Sequence, residues 1–493
     1  MKKLLALMLS MVMVLGLAAG CSSDEDNEGN GGVQGEAPPP PVEVKAEEVE
    51  EGSLEGNLVV WSFTDEVEVM TVAFKDAQPN VNISYVMTPD REDQFKTSLL
   101  NAIMGGNVPD VVSLESAFVR EFVENGSLMN LSSLKPLSDA IEAYDFMVDI
   151  GTSPDGAIRA YTYQVTPGGV FYRRSIADEV WGDDSPEFVQ SKLSNMDNFL
   201  AAAQELKAHS PNIYMVASVN EFYNPTYNLR NQAWITDGKL VIDPKVEGLF
   251  ELAKTFRDED LEARAGQWSN EWFSSMRSEL TDPAGNEMKI FTYFLPTWGL
   301  PYVIMPNATS TGGDWGLVHG PFNYSWGGTW IGAMNDATNP ENAVEFVKFA
   351  ALNEDNLRNW ATGIYTNEYL RGIDPTLPAV RVSVNDDGEE EEEPGISQGP
   401  GDVVNSKRLV AELEEFFDTA ATSVFLGGQN NYTMFGAIAG NVQLKWTQAS
   451  DGTIQDFFGD AVGNYISGDR TREESLEDFR NDVRNVLPDL DWS

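Results

Sequence analysis

Two hydrophobic periods take turns along residues 57 to 126. Asn57–Phe63 (NLVVWSF) is a compact run of strand formers. Thr64–Ala77 follows with apolar positions at Val67, Met70, Val72, Ala73 and Phe74. That spacing predicts an amphipathic helix, with Thr64 or Asp65 as N-cap and Pro79 beyond its end. Val81–Met87 alternates as a second strand, and Arg91–Met104 predicts a helix stopped by Gly105-Gly106. Pro109–Leu114 is a third strand and Ala117–Glu124 a third helix, ended by Asn125-Gly126. A β-α-β-α-β-α order argues for an α/β fold, a parallel sheet covered by helices. Ligands of such sheets bind beyond the carboxyl ends of the strands. Here those ends carry Trp61 to Asp65, then Leu114, Glu115 and Ser116.

Ala160–Arg174 (AYTYQVTPGGVFYRR) breaks that pattern. Two strand-like runs, Tyr161–Val165 and Val170–Tyr172, flank Thr166-Pro167-Gly168-Gly169. Proline fixes φ and removes a donor, and glycine tolerates backbone shapes that other residues avoid. Alone, the stretch is a plain β-hairpin. A different helical region follows it, so it is expected to be a crossover between two lobes, with the break as part of a hinge. Beyond it, Met196–Ala208, Pro244–Phe256, Trp268–Glu279, Pro340–Leu352, Arg408–Thr419, Tyr432–Leu444 and Ser475–Val486 predict helices. Tyr214–Val219, Lys289–Phe294, Trp315–Val318 and Thr329–Met334 predict strands.

The N-terminus changes the picture. Lys2-Lys3, the apolar run Leu4–Leu17 and Ala18-Ala19-Gly20 precede Cys21, the only cysteine of the chain. This is the plan of a signal peptide. It resembles a bacterial lipobox, with Ala18 where Leu is usual and Leu17 one place earlier. The resemblance implies residues 1–21 as a lipoprotein signal peptide with acylation at Cys21. Residues 22–55 are acidic and rich in Gly and Pro, an expected flexible linker. Residues 385–401 hold five consecutive glutamates and are expected to form a disordered surface loop.

The balance of 78 Asp and Glu against 32 Lys and Arg opposes nucleic acid and anionic lipid surfaces. Catalytic parts are scarce. There are two histidines, His209 and His319, no His/Cys cluster with metal spacing, and no phosphate-binding or Gly-x-Ser-x-Gly motif. No metal, no cofactor and no enzymatic activity are expected. A glycan hydrolase needs only two carboxylates, so that alternative stands beside a binding protein.

NLVVWSF with its helix, GGNVPDVVSLES and the turn ENGSLMNLSSL resemble the first lobe of family 1 extracellular solute-binding proteins. These are sugar-binding receptors of ABC importers. AYTYQVTPGGVFYRRSIADE resembles their crossover, with Arg173-Arg174 in place of the usual Asn-Lys. GPFNYSWGGTWIGAMNDATNPENAVEFVKFAALNED resembles their return strand, Asn-Pro turn and Ala-rich helix. The resemblance covers most of residues 57 to 370. It implies a two-lobed periplasmic-binding-protein-like fold with a hinge and an interlobe ligand cleft. Lobe 1 would comprise residues 56–166 and 318–338, and lobe 2 residues 167–317 and 339–493. The implied function is a monomer held to the outer face of the cell membrane by its N-terminal lipid alone. It would capture a carbohydrate, an oligosaccharide, and deliver it to ABC permease subunits. The same fold with a peptide, polyamine or phosphate ester is the alternative.

Sugars present apolar C–H faces to aromatic rings and hydroxyl edges to Asp, Glu and Asn. The candidate ligand-binding residues are Trp61, Phe63, Asp65, Glu115, Glu221, Tyr223, Asn224, Trp298, Trp326, Trp330 and Trp360. Each has a plainer explanation beside it. Trp61 would serve as core, Asp65 and Glu115 as helix caps, and Trp326 and Trp330 as packing between lobes.

Overall fold

The computed structural model describes residues 49–89, 93–384, 390–396 and 399–492. The signal peptide, Cys21 and residues 22–48 of the linker lie outside them. Nine strands form two mixed sheets. They are β1 (Gly56–Ser62), β2 (Val81–Met87), β3 (Val111–Glu115), β4 (Tyr161–Thr162), β5 (Gly168–Arg173), β6 (Ile213–Val216), β7 (Lys289–Pro296), β8 (Trp315–Val318) and β9 (Thr329–Ala333). The first sheet has the order β2-β1-β3-β9-β4 and the second β8-β5-β7-β6.

The first sheet follows from the local pattern. β1 pairs parallel with β2 and β3, as strands joined by helices must. Glu66–Ala77 is the helix between β1 and β2, and it buries Val67, Met70, Val72, Ala73 and Phe74, the stripe predicted from spacing. β9 then inserts antiparallel between β3 and β4, a long-range pairing. In the second sheet both faces are buried. Val170 and Tyr172 face one apolar cluster, with Phe294 and Val216, and Phe171 faces the other, with Tyr293 and Leu317. This is why VFY and its neighbours read as continuous apolar runs.

Three segments join the sheets. The middle one, Gln164 to Pro167, is paired along both edges. On one side Trp326 N–H donates to Thr166 O and Gly168 N–H to Tyr324 O, at 3.1 and 2.8 Å. On the other, Val165 N–H donates to Val403 O and Asn405 N–H to Tyr163 O, at 2.9 and 2.8 Å. Gly327, Gly328 and Gly401 flank these segments with φ of 73°, 113° and 140°, shapes that glycine alone adopts at no steric cost.

This arrangement corrects the expected lobe limits. Residues 318–338 were expected to lie in lobe 1, but Val318 still belongs to the second sheet, and the return runs through 324–328. Helix Pro340–Leu352 stays on the first sheet instead of leaving it: Phe346 packs edge-on against Phe74 at 5.4 Å. The third connection comes at 402–405. Two further expectations also change. The end of the linker is docked, with Leu54 buried and its N–H bonded to Gln78. Within the glutamate run, Glu390–Pro394 pairs antiparallel with Val380–Val384, so that part is a hairpin strand and not a disordered loop.

The middle connection is crowded. A Cβ on Gly168 would stand 2.0 Å from the Tyr324 ring, and the Tyr324 hydroxyl is fixed by its bond to Gly169 O. Gly168→Ala is therefore expected to lower stability by about 3 kcal/mol. Urea unfolding followed by circular dichroism checks this.

Candidate functional site

A cavity of about 990 Å³ opens between the two sheets' loops and the helix Asp451–Ser467. Its walls differ in chemistry. One wall is aromatic. Trp268 is 46% exposed and holds φ at 70°, a left-handed conformation costly for a residue with a Cβ. Its ring stacks on Trp298 with centroids 6.2 Å apart and planes 17° from parallel, and meets Trp326 edge-on at 5.8 Å. Trp298 Nε1 donates to Trp326 O at 2.9 Å, which fixes the second ring.

A buried carboxyl stands behind this platform. Glu221 accepts Trp272 Nε1–H at 2.7 Å and Phe294 N–H at 2.8 Å. Trp272 in turn packs on Trp268 at 5.1 Å. Burial pushes the Glu221 carboxyl up to about 7, against the pull of its two N–H donors. Glu221 thus positions the platform and does not line the cavity.

The opposite wall is one face of helix Asp451–Ser467. Gly452, Gln455, Asp456, Gly459, Asp460 and Gly463 line the cavity at steps of three and four residues. The other face buries Ile454, Phe458, Ala461, Val462 and Ile466. The glycines keep the wall thin. A Cβ on Gly459 would lie 3.2 Å from the Tyr223 ring, and one on Gly452 3.2 Å from Ala117 O. The helix therefore approaches both the turn after β6 and the loop after β3.

Among the predicted residues, Glu115, Tyr223, Asn224 and Trp326 line this cavity. Glu115 also braces its own turn, accepting Ala117 N–H and Ser116 Oγ–H at 2.5 and 2.8 Å. Trp298 lies one ring behind the wall. The others lie elsewhere. Trp61 is half-buried against the core, and Phe63 packs edge-on against Phe95 and Phe118. Asp65 starts helix Glu66–Ala77, where its backbone carbonyl accepts Glu68 and Val69 N–H. Trp330 and Trp360 were expected at the ligand and are wholly buried. Trp330 Nε1 donates to Met147 O, and Trp360 packs edge-on against Tyr163 at 5.0 Å. Large aromatics fill cores as readily as clefts.

A sequence profile of bacterial extracellular solute-binding proteins matches residues 70–370, more than half of the chain. The chain belongs to this family. Solved structures agree on the fold of this solute-binding protein. A family 1 extracellular solute-binding protein shares 17% identity at a TM-score of 0.68, covering 87% of this chain and 99% of its own. The ABC-transporter-associated binding protein of B. animalis subsp. lactis, solved with β-1,6-galactobiose, shares 18% at 0.56, covering 88% and 98%. The sugar-binding protein MalE of Xanthomonas citri shares 13% at 0.63, also covering 88% and 98%. No curated protein matches the sequence.

In this solute-binding protein the cavity draws heavily on residues that sequence reasoning passed over. Trp268 was placed inside a helix predicted from 268 to 279. The helix instead begins at Asn270, capped by the Ser269 hydroxyl, which leaves Trp268 outside it. Trp446 and the helix Asp451–Ser467 were not singled out at all. Apolar residues at 454, 458, 461, 462 and 466 carried the signal for that helix. Among the described residues no group of His, Cys, Asp or Glu is placed to hold a metal ion. No helix among them is long and apolar enough to cross a membrane.

Proposed function

We propose that this protein captures a carbohydrate, an oligosaccharide, in the cavity between its two lobes and delivers it to the permease of an ABC importer. The observation that carries this reading is the Trp268 platform. Trp268 holds a costly φ of 70° and packs one side of its ring on Trp272 and Trp298, yet leaves nearly half of its surface exposed at the cavity. Its use is to offer a ring face to a sugar's C–H face. Across the cavity, Gln455, Asp456, Asp460 and Asn464 offer the polar groups that hydroxyls need. The volume lies at the upper end of the range for small-molecule pockets, which suits several sugar units. The neighbour solved with β-1,6-galactobiose supports the same class of ligand.

Capture proceeds by binding alone. The ligand touches both lobes, so it favours the closed state, and hinge motion about the three connections brings the lobes together. The chain supplies no phosphate-binding motif, so ATP is used by the importer's own ATPase. The sequence at Cys21 supports attachment to the outer face of the membrane by lipid. Cys21→Ala is expected to move the protein from the membrane fraction to the soluble fraction.

The ligand class is tested by thermal-shift screening against neutral mono- and oligosaccharides, with amino acids and polyamines as controls. A ligand at 100 times its Kd stabilises by about 2.7 kcal/mol. A glycan that stabilises the protein and is recovered unchanged supports the proposal. A hit confined to the controls, or a glycan recovered as fragments, contradicts it.

A further inference from the structure

Resting on the carbohydrate reading of the cavity, the geometry points to one step further: the Arg230–Asp451 pair is a hydroxyl-reading subsite that admits uncharged sugars and rejects acid sugars such as uronates. Both residues belong to the cavity wall. Arg230 Nη2 and Asp451 Oδ2 are 2.6 Å apart, and the two side chains are only 7% and 8% exposed. The pair leaves hydrogen-bonding capacity unused. Arg230 Nε and Nη1, Asp451 Oδ1 and, also in the cavity wall, Asn224 Nδ2 are buried and have no hydrogen-bond partner among the described residues.

Such groups are costly unless something completes them. A hydroxyl does so in a way that a carboxylate does not. It accepts from a guanidinium N–H and at the same time donates to a carboxylate oxygen. Two adjacent hydroxyls on one sugar ring would satisfy several of these atoms together. A sugar carboxylate is acceptor-only, so it would satisfy Arg230 while facing Asp451 unpaired.

The rest of the wall adds to that discrimination. Asp456 and Asp460 also line the cavity and add negative charge beside the mutually neutralised Arg230–Asp451 pair. The charge of Arg230 is already taken up by Asp451. Among the described residues, Arg120 reaches Asp451 electrostatically from outside the wall, and Lys96 reaches Asp456. Both are paired elsewhere, Arg120 with Glu124 at 2.5 Å and Lys96 with Glu121 at 2.8 Å.

The test is calorimetric titration of the full chain with matched pairs. Gluco-, galacto- and manno-oligosaccharides are each compared with the same oligosaccharide oxidised at C6 to the uronate. Every neutral member that binds is expected to bind about 100-fold tighter than its uronate. Asp451→Asn keeps the shape, removes the carboxylate and leaves Arg230 unneutralised. It should narrow that ratio at least about tenfold, with the uronate gaining affinity. Asp460→Asn, outside the ion pair, should narrow it less, and it keeps the test open if Asp451→Asn does not fold. Equal binding of neutral and acid members, or a ratio unmoved by these variants, overturns the inference while leaving the carbohydrate reading intact. Silence of both members of every pair overturns the carbohydrate reading itself.

Discussion

Trp268→Ala is expected to weaken binding of a neutral oligosaccharide roughly 30-fold, about 2 kcal/mol, the scale of a tryptophan at the centre of a binding site. The ring is the exposed face of a stack whose other members are already committed. Trp298 is held by Trp326 O, and Trp272 by Glu221. Removing Trp268 leaves those rings in place but takes away the surface on which a sugar lies. A second substitution separates binding from folding. Trp268→Gly loses the same ring, yet glycine tolerates φ of 70° where alanine does not. The Gly variant should therefore be about 1 kcal/mol more stable than the Ala variant, with equally weak binding. Equal stabilities would mean that the strain at this position is relieved by some other shift. Unchanged affinity in both variants would remove the platform from the account.

Stability is expected to fall as pH rises from 6 to 9. Ordinary carboxyls are fully ionised across that window and change nothing. Among the described residues, the three buried ones pushed furthest up behave differently. Glu66 accepts hydrogen bonds from the Tyr163 and Tyr302 hydroxyls, both at 2.6 Å, and burial with the nearby Asp402 pushes its carboxyl well up. Burial pushes Asp402 up as well, although Gln164 Nε2 donates to it at 2.7 Å. Burial also sets Glu221 at about 7. The sign follows from proton binding. Each group holds its proton to higher pH in the folded state than in the unfolded state. Its contribution is complete below the ordinary carboxyl range and is lost as pH climbs through the folded value. For Glu221 alone the full loss, spread from the ordinary carboxyl range up to about pH 7, amounts to roughly 3 kcal/mol, of which about 1 kcal/mol falls above pH 6.

Glu66→Gln is the cleanest probe of this effect. Both partners of Glu66 are hydroxyls, which accept from an amide as readily as they donate to a carboxylate. The variant keeps its hydrogen bonds and loses the titration, so its melting temperature should vary less with pH than that of the parent. The partners of Glu221 are both N–H groups, which cannot accept, so Gln fits poorly there. A melting temperature that rises between pH 6 and 9 would contradict the account of Glu66 and Glu221; the share of Asp402, raised to about 6, is largely lost below that window.

What was legible in the sequence depended on how local each interaction is. The run from Asn57 to Glu124 declares its strands and helices because alternation and helical spacing are properties of neighbours. The break at Pro167 was visible for the same reason. The partners of that break were not. Trp326 and Val403 pair with residues more than 150 positions away, and nothing in Ser325-Trp326 or Asp402–Asn405 announces a strand edge. The lobe limits moved accordingly. The candidate site was legible in kind more than in position. Aromatic and acidic residues at strand ends were expected, and Glu115, Tyr223, Asn224 and Trp326 do line the cavity. Trp330 and Trp360 look no different in sequence, yet both are wholly buried. Trp268 was hidden by a helical pattern that its positive φ interrupts. The cavity-lining helix was hidden by Gly452, Gly459 and Gly463, which read as breakers, although the first two serve to bring Ala117 and Tyr223 close.

The most direct measurement is the crystal structure of the protein with a neutral oligosaccharide taken from the thermal-shift screen. A sugar ring is expected to lie on the exposed face of Trp268. Its hydroxyls should reach Asp456 or Asp460 on helix Asp451–Ser467 and Glu115 on the opposite loop. A sugar bound elsewhere on the surface, with this cavity filled only by solvent, would contradict the central claim.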